Sequence, residues 1–167
     1  MRKIKSRTCL LAAVAAIGFG LMAPRPANAQ ASVEDQNKAL IAQSFEAWGN
    51  GTGGPYSLLA DDVSWTITGN SLVAKTYPSR EAFLGEVIRP FDARMATPLK
   101  PTIRQLYADG DTVVAFFDAS GTARDGKPYS NTYAWFLEVK DGRITRAHAF
   151  FDSMAFNDFW RRVMPAQ

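Results

Sequence analysis

The chain has 167 residues, 47% of them apolar and 12% aromatic, with a formal net charge of +3, one cysteine and one histidine. Residues 1–29 hold five of the 19 basic residues and none of the 16 acids, so the remainder carries 14 against 16, net −2. That balance makes no compositional case for nucleic-acid binding, which requires a basic face for phosphates, and no nucleic-acid partner is expected. The only cysteine, Cys9, lies in the same segment, so residues 30–167 have no thiol nucleophile and no disulfide.

The first thirty residues read as an export signal. Arg2, Lys3, Lys5 and Arg7 precede an apolar run from Leu10 to Ala23, and Ala27-Asn28-Ala29 offers a small-x-small cleavage site. The run is shorter than the ~20 residues a comfortable membrane span needs. Cleavage after Ala29, a periplasmic or secreted product and no stable membrane anchor are the expectations. Residues 30–167 are enough for one domain.

Ser32 to Trp48 reads as a helix capped by Ser32, with Leu40, Ile41, Phe45 and Trp48 on one face. The glycine run from Gly49 to Gly54 ends it; without a Gly-Lys-Ser/Thr ending it is a turn, not a phosphate loop. Tyr56 to Ala60 suggests one helical turn. Val63, Trp65 and Ile67 then alternate with Ser64, Thr66 and Thr68 as a strand. Ser79 caps a helix carrying Phe83, Leu84, Val87 and Ile88, which Pro90 stops or kinks, and Phe91 to Met95 adds a further turn.

Four strands follow: about 102–108, 112–124, 129–140 and 143–151. Asp109-Gly110, Asp125-Gly126 and Asp141-Gly142 separate them, and Asp-Gly between alternating segments signals a hairpin. Asn157 to Val163 suggests a short terminal helix or turn. The expectation is one α+β domain.

Treating Asp125-Gly126 as a two-residue turn sets Asp118 opposite Tyr133 and Ser120 opposite Asn131. One sheet face then carries Phe116, Asp118, Ser120, Asn131, Tyr133 and Trp135, and suits a ligand pocket. The other carries Val113, Ala115, Phe117, Ala119, Ala134 and Phe136, and suits a dimer face. Asp118 is then a carboxylate on an apolar strand, either a proton-transfer group or a structural aspartate held by Tyr133 or Asn131. Tyr133 either offers a hydrogen bond to a carbonyl or enolate oxygen or is an amphipathic core residue, and Trp65 and Trp135 are either ligand walls or plain core. His148 is the only histidine, which with no cysteine excludes an ordinary multi-ligand zinc site. A two-residue turn at Asp141-Gly142 faces it to the pocket as a general base. A bulged loop instead brings Ala147, Ala149 and Phe151 inward.

The order of elements, and the segments Leu59 to Trp65, Tyr129 to Leu137 and Asp141 to Asp152, resemble the SnoaL-like, or nuclear transport factor 2-like, family. The resemblance covers residues 33–160. It implies a cone-shaped roll: a curved, mainly antiparallel sheet wrapped around N-terminal helices, with one internal pocket, in a protein that commonly forms homodimers. The family includes polyketide cyclases, ketosteroid isomerases and limonene epoxide hydrolases. The isomerases' acids match Ile67 and Trp135, and their tyrosine matches Ser44 or Phe45. Of the epoxide hydrolases' acid–arginine–acid set only Asp118 matches; the arginine falls on Phe116 and the other acid on Ala149, near the cyclases' acid as well. The family's pocket position on the last strand also matches Ala149, which favours the bulged loop.

The expected function is acid–base chemistry of isomerase or cyclase type on a small apolar carbonyl compound, with Asp118, Tyr133 and His148 as catalytic candidates and Trp65, Ser120, Asn131 and Trp135 as ligand-binding candidates. The alternative is a non-catalytic binder of a small hydrophobic molecule in the cell envelope. No metal or cofactor is expected.

Overall fold

The computed structural model describes residues 31–165; the export-signal expectation falls on residues outside them. Helix α1 (Val33–Asn50) begins where Ser32 accepts the Asp35 N–H and ends at Gly51, whose φ of 71° supplies the left-handed cap. A 3₁₀ turn (Pro55–Leu58) leads into β1 (Leu59–Ile67) and a two-residue strand β2 (Thr76–Tyr77). The helical run that follows has three parts: α2 (Arg80–Phe83), capped by Ser79; a π-helical stretch (Leu84–Ile88); and α3 (Arg89–Asp92). Then come β3 (Lys100–Asp109), β4 (Thr112–Thr122), β5 (Pro128–Lys140), β6 (Arg143–Phe151) and α4 (Ser153–Arg162).

The six strands form one sheet in the order β2-β1-β6-β5-β4-β3. Every pairing is antiparallel except that of β1 with β6. Helix α1 packs on β3 and β4, α2 on β1, and α4 on β5, so the helices cover one face. This is the expected α+β roll. Alternate residues of β4 and β5 (Val113, Ala115 and Phe117; Tyr133, Trp135 and Leu137) are buried on that face.

The register of β4 on β5 differs from the expectation by one residue. Thr122 pairs with Pro128 and Asp118 with Thr132. The turn closes by an Ala123 N–H to Lys127 carbonyl bond, with Gly126 at φ 81°, so it is a longer loop than the two-residue turn expected. A one-residue slip reverses every side chain of a strand. Ala115, Phe117 and Ala119, expected on a dimer face, are therefore core, and Phe116, Asp118 and Ser120 face outward.

At the last hairpin the turn does have two residues: Lys140 pairs with Arg143, and both Asp141 (φ 50°) and Gly142 (φ 72°) are left-handed. The pairing then slips between Glu138 and Val139, so that Trp135 faces Ala149 and Phe136 faces His148. Ala149 points inward and His148 outward, as the bulged alternative required, with the irregularity a few residues beyond Gly142.

Candidate functional site

A cavity of about 550 Å³ opens between the covered sheet face and the helices, within the usual range for small-molecule sites. Trp65 and Ile67 of β1, Trp135 and Tyr133 of β5, and Ala149 and Phe151 of β6 form its floor. The helical run supplies Phe83, Val87, Ile88, Phe91 and Asp92, the loop 95–99 closes one side, and Phe156 of α4 closes another. The walls are aromatic and interlocked. Trp65 stacks on Phe83 at 4.3 Å and 14°, Trp48 on Trp135 at 6.0 Å and 13°, and Phe117 on Tyr133 at 4.9 Å and 9°.

Ala149 leaves room opposite Trp135, where a larger side chain would fill the floor. The loop 95–99 stands where it does because Gly121 lets it approach β4. A Cβ on Gly121 would lie 2.7 Å from Met95 Cε and 3.2 Å from the Thr97 and Pro98 carbonyl oxygens. Two loop bonds fix the crossing, from the Ala96 N–H (2.8 Å) and the Thr97 N–H (3.1 Å) to the Thr122 carbonyl.

The titratable side chains lining the cavity are one carboxylate, Asp92, and two tyrosine hydroxyls, Tyr56 and Tyr133. Asp92 is the one charged residue lining the cavity among the described residues. Its carboxylate has no ion-pair or hydrogen-bond partner among them, and desolvation against the apolar wall raises its pKa even though the residue stands at the rim with its other side in solvent. Tyr56 lies in reach of the Asp92 field: burial, then the Asp92 carboxylate, push its hydroxyl pKa far up. Tyr133 is 8% exposed, and burial holds its hydroxyl neutral at any ordinary pH. Its oxygen lies 2.9 Å from the Tyr129 hydroxyl, and Tyr129 accepts from Asn131 Nδ2 at 3.2 Å.

Asp92 owes its place to the π turn. On a regular α-helix, at about 100° per residue, Asp92 would point to the side opposite Phe83. Here the Arg89 N–H reaches back five residues to the Leu84 carbonyl, and this extra residue takes back about one step of rotation. Phe91 then lines up with Phe83, and Asp92 falls at the cavity edge. No sequence pattern in Leu84–Ile88 announces such a turn; Pro90, which cannot continue an α-helical ladder, is the one local hint.

The expected site residues divide accordingly. Trp65, Tyr133 and Trp135 line the cavity. Asn131 is buried on the same face, but its amide is used by the Asp152 backbone, accepting from its N–H at 2.9 Å and donating to its carbonyl at 3.0 Å. Asp118 lies on the outer face, bound by the Thr132 hydroxyl at 2.7 Å and Arg104 Nε at 2.6 Å, which hold its carboxyl below the usual range. Ser120 is exposed beside Ser130 and Lys100. His148 is exposed between Thr66 and Phe136. These three do not face the pocket, and Asp92, which no motif or strand pattern marks, does. Among the described residues no group of three or more histidines, cysteines or acids could hold a metal ion, and no helix is long and apolar enough to cross a membrane.

Solved structures share this fold. Bal32a, from a soil-derived mobile gene cassette, superimposes with a TM-score of 0.64 at 22% identity, over 78% of this chain and all of its own. An NTF2-like protein from Burkholderia thailandensis gives 0.61 at 23%, over 74% and 95%. IdmH from Streptomyces antibioticus, a proposed polyketide cyclase, gives 0.58 at 25%, over 74% and 97%. No curated protein sequence matches the chain significantly. The family model described as SnoaL-like domain matches residues 32–147, and the chain belongs to that family.

Proposed function

We propose that the protein binds a small, largely apolar carbonyl compound and moves a proton next to the carbonyl, with Asp92 as base and acid and Tyr133 as the donor to the carbonyl oxygen. The observation that carries this reading is that one largely apolar cavity is lined both by a carboxylate with a raised pKa, unpaired among the described residues, and by the buried Tyr133 hydroxyl. Resemblance to a proposed polyketide cyclase agrees with a carbonyl substrate. The step is balanced. A C–H proton α to the carbonyl passes to the Asp92 carboxylate, the C–H electrons form C=C, and the carbonyl π electrons move to oxygen as an enolate held by the Tyr133 O–H. The proton returns from Asp92 to the same or another carbon, which yields exchange or isomerisation.

The test is α-proton exchange of 2-tetralone in D₂O, followed by NMR. The wild type should accelerate exchange, and Asp92→Asn should lower the acceleration by roughly 10²–10⁴-fold. Because Asp92 works as its anion and its pKa is raised, the rate should rise with pH along a limb lying above the ordinary carboxylate value of about 4. Tryptophan quenching by tetralone without any exchange would reduce the protein to a binder, the second class expected from the sequence.

Export and self-association belong to the same proposal. The sequence of residues 1–29 supports export to the periplasm or beyond. A homodimer is supported by the outer sheet face, where Phe136 (41% exposed) and Phe150 (42%) meet edge to face at 5.8 Å.

A further inference from the structure

Donor and acceptor chemistry orders the hydrogen bonds behind Tyr133. The Asp152 backbone N–H can only donate, so the group 2.9 Å away on Asn131 is Oδ1. Nδ2 then spends its two protons on the Asp152 carbonyl (3.0 Å) and the Tyr129 oxygen (3.2 Å). Tyr129 therefore accepts from Asn131 and has one proton of its own to give. Among the described residues the acceptor in reach is the Tyr133 oxygen, 2.9 Å away. The Tyr129 oxygen has a second lone pair and could instead accept from Tyr133. Its own proton would then be buried without an acceptor, since Tyr129 is 3% exposed and does not line the cavity. With Tyr133 as acceptor, the proton left free is that of Tyr133, for which the described residues offer no acceptor. Tyr133 lines the cavity.

We infer that Asn131 and Tyr129 are positioning residues which fix Tyr133 as an obligate hydrogen-bond donor into the cavity, so that the site selects a ligand presenting an acceptor oxygen there, a ketone or enolate in preference to a hydrocarbon. The inference rests on the carbonyl reading of the pocket and deepens it. Each donor in the chain polarises the next, so the Tyr133 O–H is a stronger donor than a lone phenol. Asn131 is itself held by the backbone of Asp152, the N-cap of α4, and cannot rotate to reverse the order without losing two further bonds.

The tests read the proton direction and not turnover, so they fail separately from the role of Asp92. In the ligand-free protein, NMR of the tyrosine hydroxyl protons should show the Tyr129 proton protected from exchange and the Tyr133 proton exchanging with water through the cavity; the opposite pattern overturns the inference. With carbonyl-labelled 2-tetralone bound, the C=O stretch should fall in frequency, and Tyr133→Phe should abolish the fall. Tyr129→Phe is decisive in sign. Under the inferred order it removes the group polarising Tyr133, so the shift shrinks. If Tyr133 instead donates to Tyr129, the same variant frees the Tyr133 proton and the shift grows, which overturns the inference. Tetralone should bind about tenfold more tightly than tetralin, and Tyr133→Phe should erase the difference; equal wild-type affinities for the two also overturn it.

Discussion

Replacing Asn131 by leucine should unlock α4 from the sheet. Asn131 is 6% exposed and makes three hydrogen bonds: with the Asp152 N–H, the Asp152 carbonyl and the Tyr129 hydroxyl. Leucine has about the same bulk and none of the polar atoms. Each lost bond costs roughly 0.5–1.5 kcal/mol, and a donor left without a partner costs more, so the total is about 3 kcal/mol. For a domain of this size, unfolding entropy of about 2.1 cal/mol/K per residue turns that into a fall in Tm of about 10 °C. Asn131→Asp should do no better, because its second oxygen would face the Asp152 carbonyl, acceptor to acceptor. Differential scanning calorimetry of the two variants against wild type measures the effect. Since Phe156 of α4 is a cavity wall, tetralone should also quench the tryptophans less. A shift below about 2 °C in Asn131→Leu would mean that the clamp is dispensable, and the deduced order of the tyrosine chain would lose its anchor with it.

Asp118→Asn should leave tetralone exchange unchanged, since the carboxylate lies on the outer face; a large loss of rate would refute the register. The folded pKa values of Asp118 and Asp125 are lowered, the first by Thr132 and then Arg104, the second chiefly by Arg162, so their stabilisation is present above the ordinary carboxylate value of about 4 and is lost as the pH falls below it. Asp118→Asn should accordingly lower the denaturant midpoint at pH 7 and leave it near wild type at pH 2. Gly121→Ala should push the loop 95–99 away from β4, lowering Tm by several degrees and weakening tetralone binding together; an unchanged affinity would show that this loop is no part of the site. Phe136→Asp should convert the proposed homodimer to monomer in light scattering, and a wild-type monomer at micromolar concentration would end that proposal.

Element types were legible because they follow from period and caps: Ser32 and Ser79 cap helices as expected, and the alternation of Val63, Trp65 and Ile67 marks a strand. The helix expected from Asn157 starts earlier, at Ser153, because Asp152 takes the N-cap. Register was less legible. Asp-Gly occurs at three hairpins and sits differently in each. At the first, Asp109 is the last paired residue and Gly110 opens the turn; at the second, Gly126 closes a longer loop; at the third, Asp141 and Gly142 are the two turn residues themselves. The dipeptide signals a turn without specifying which of its positions it fills, and one position decides which face Asp118 takes.

The site itself is built on such one-residue irregularities. The loop at Gly126 turns Asp118 outward and Phe117 inward. The slip between Glu138 and Val139 turns His148 outward and leaves small Ala149 under the cavity. The π turn brings Asp92 round to its edge. A shift in β3, between Ile103 and Gln105, accompanies the reach of Arg104 across to Asp118. Each irregularity costs local hydrogen bonding, and the first three change which chemical group enters the pocket, while the apolar periodicity that specifies strands and helices is nearly indifferent to them. A pocket of this kind can change the polar group on its wall by one insertion without disturbing the core, so the positions that match the family's acids can hold Ile67, Trp135 and Ala149 here while a carboxylate still reaches the cavity from another wall.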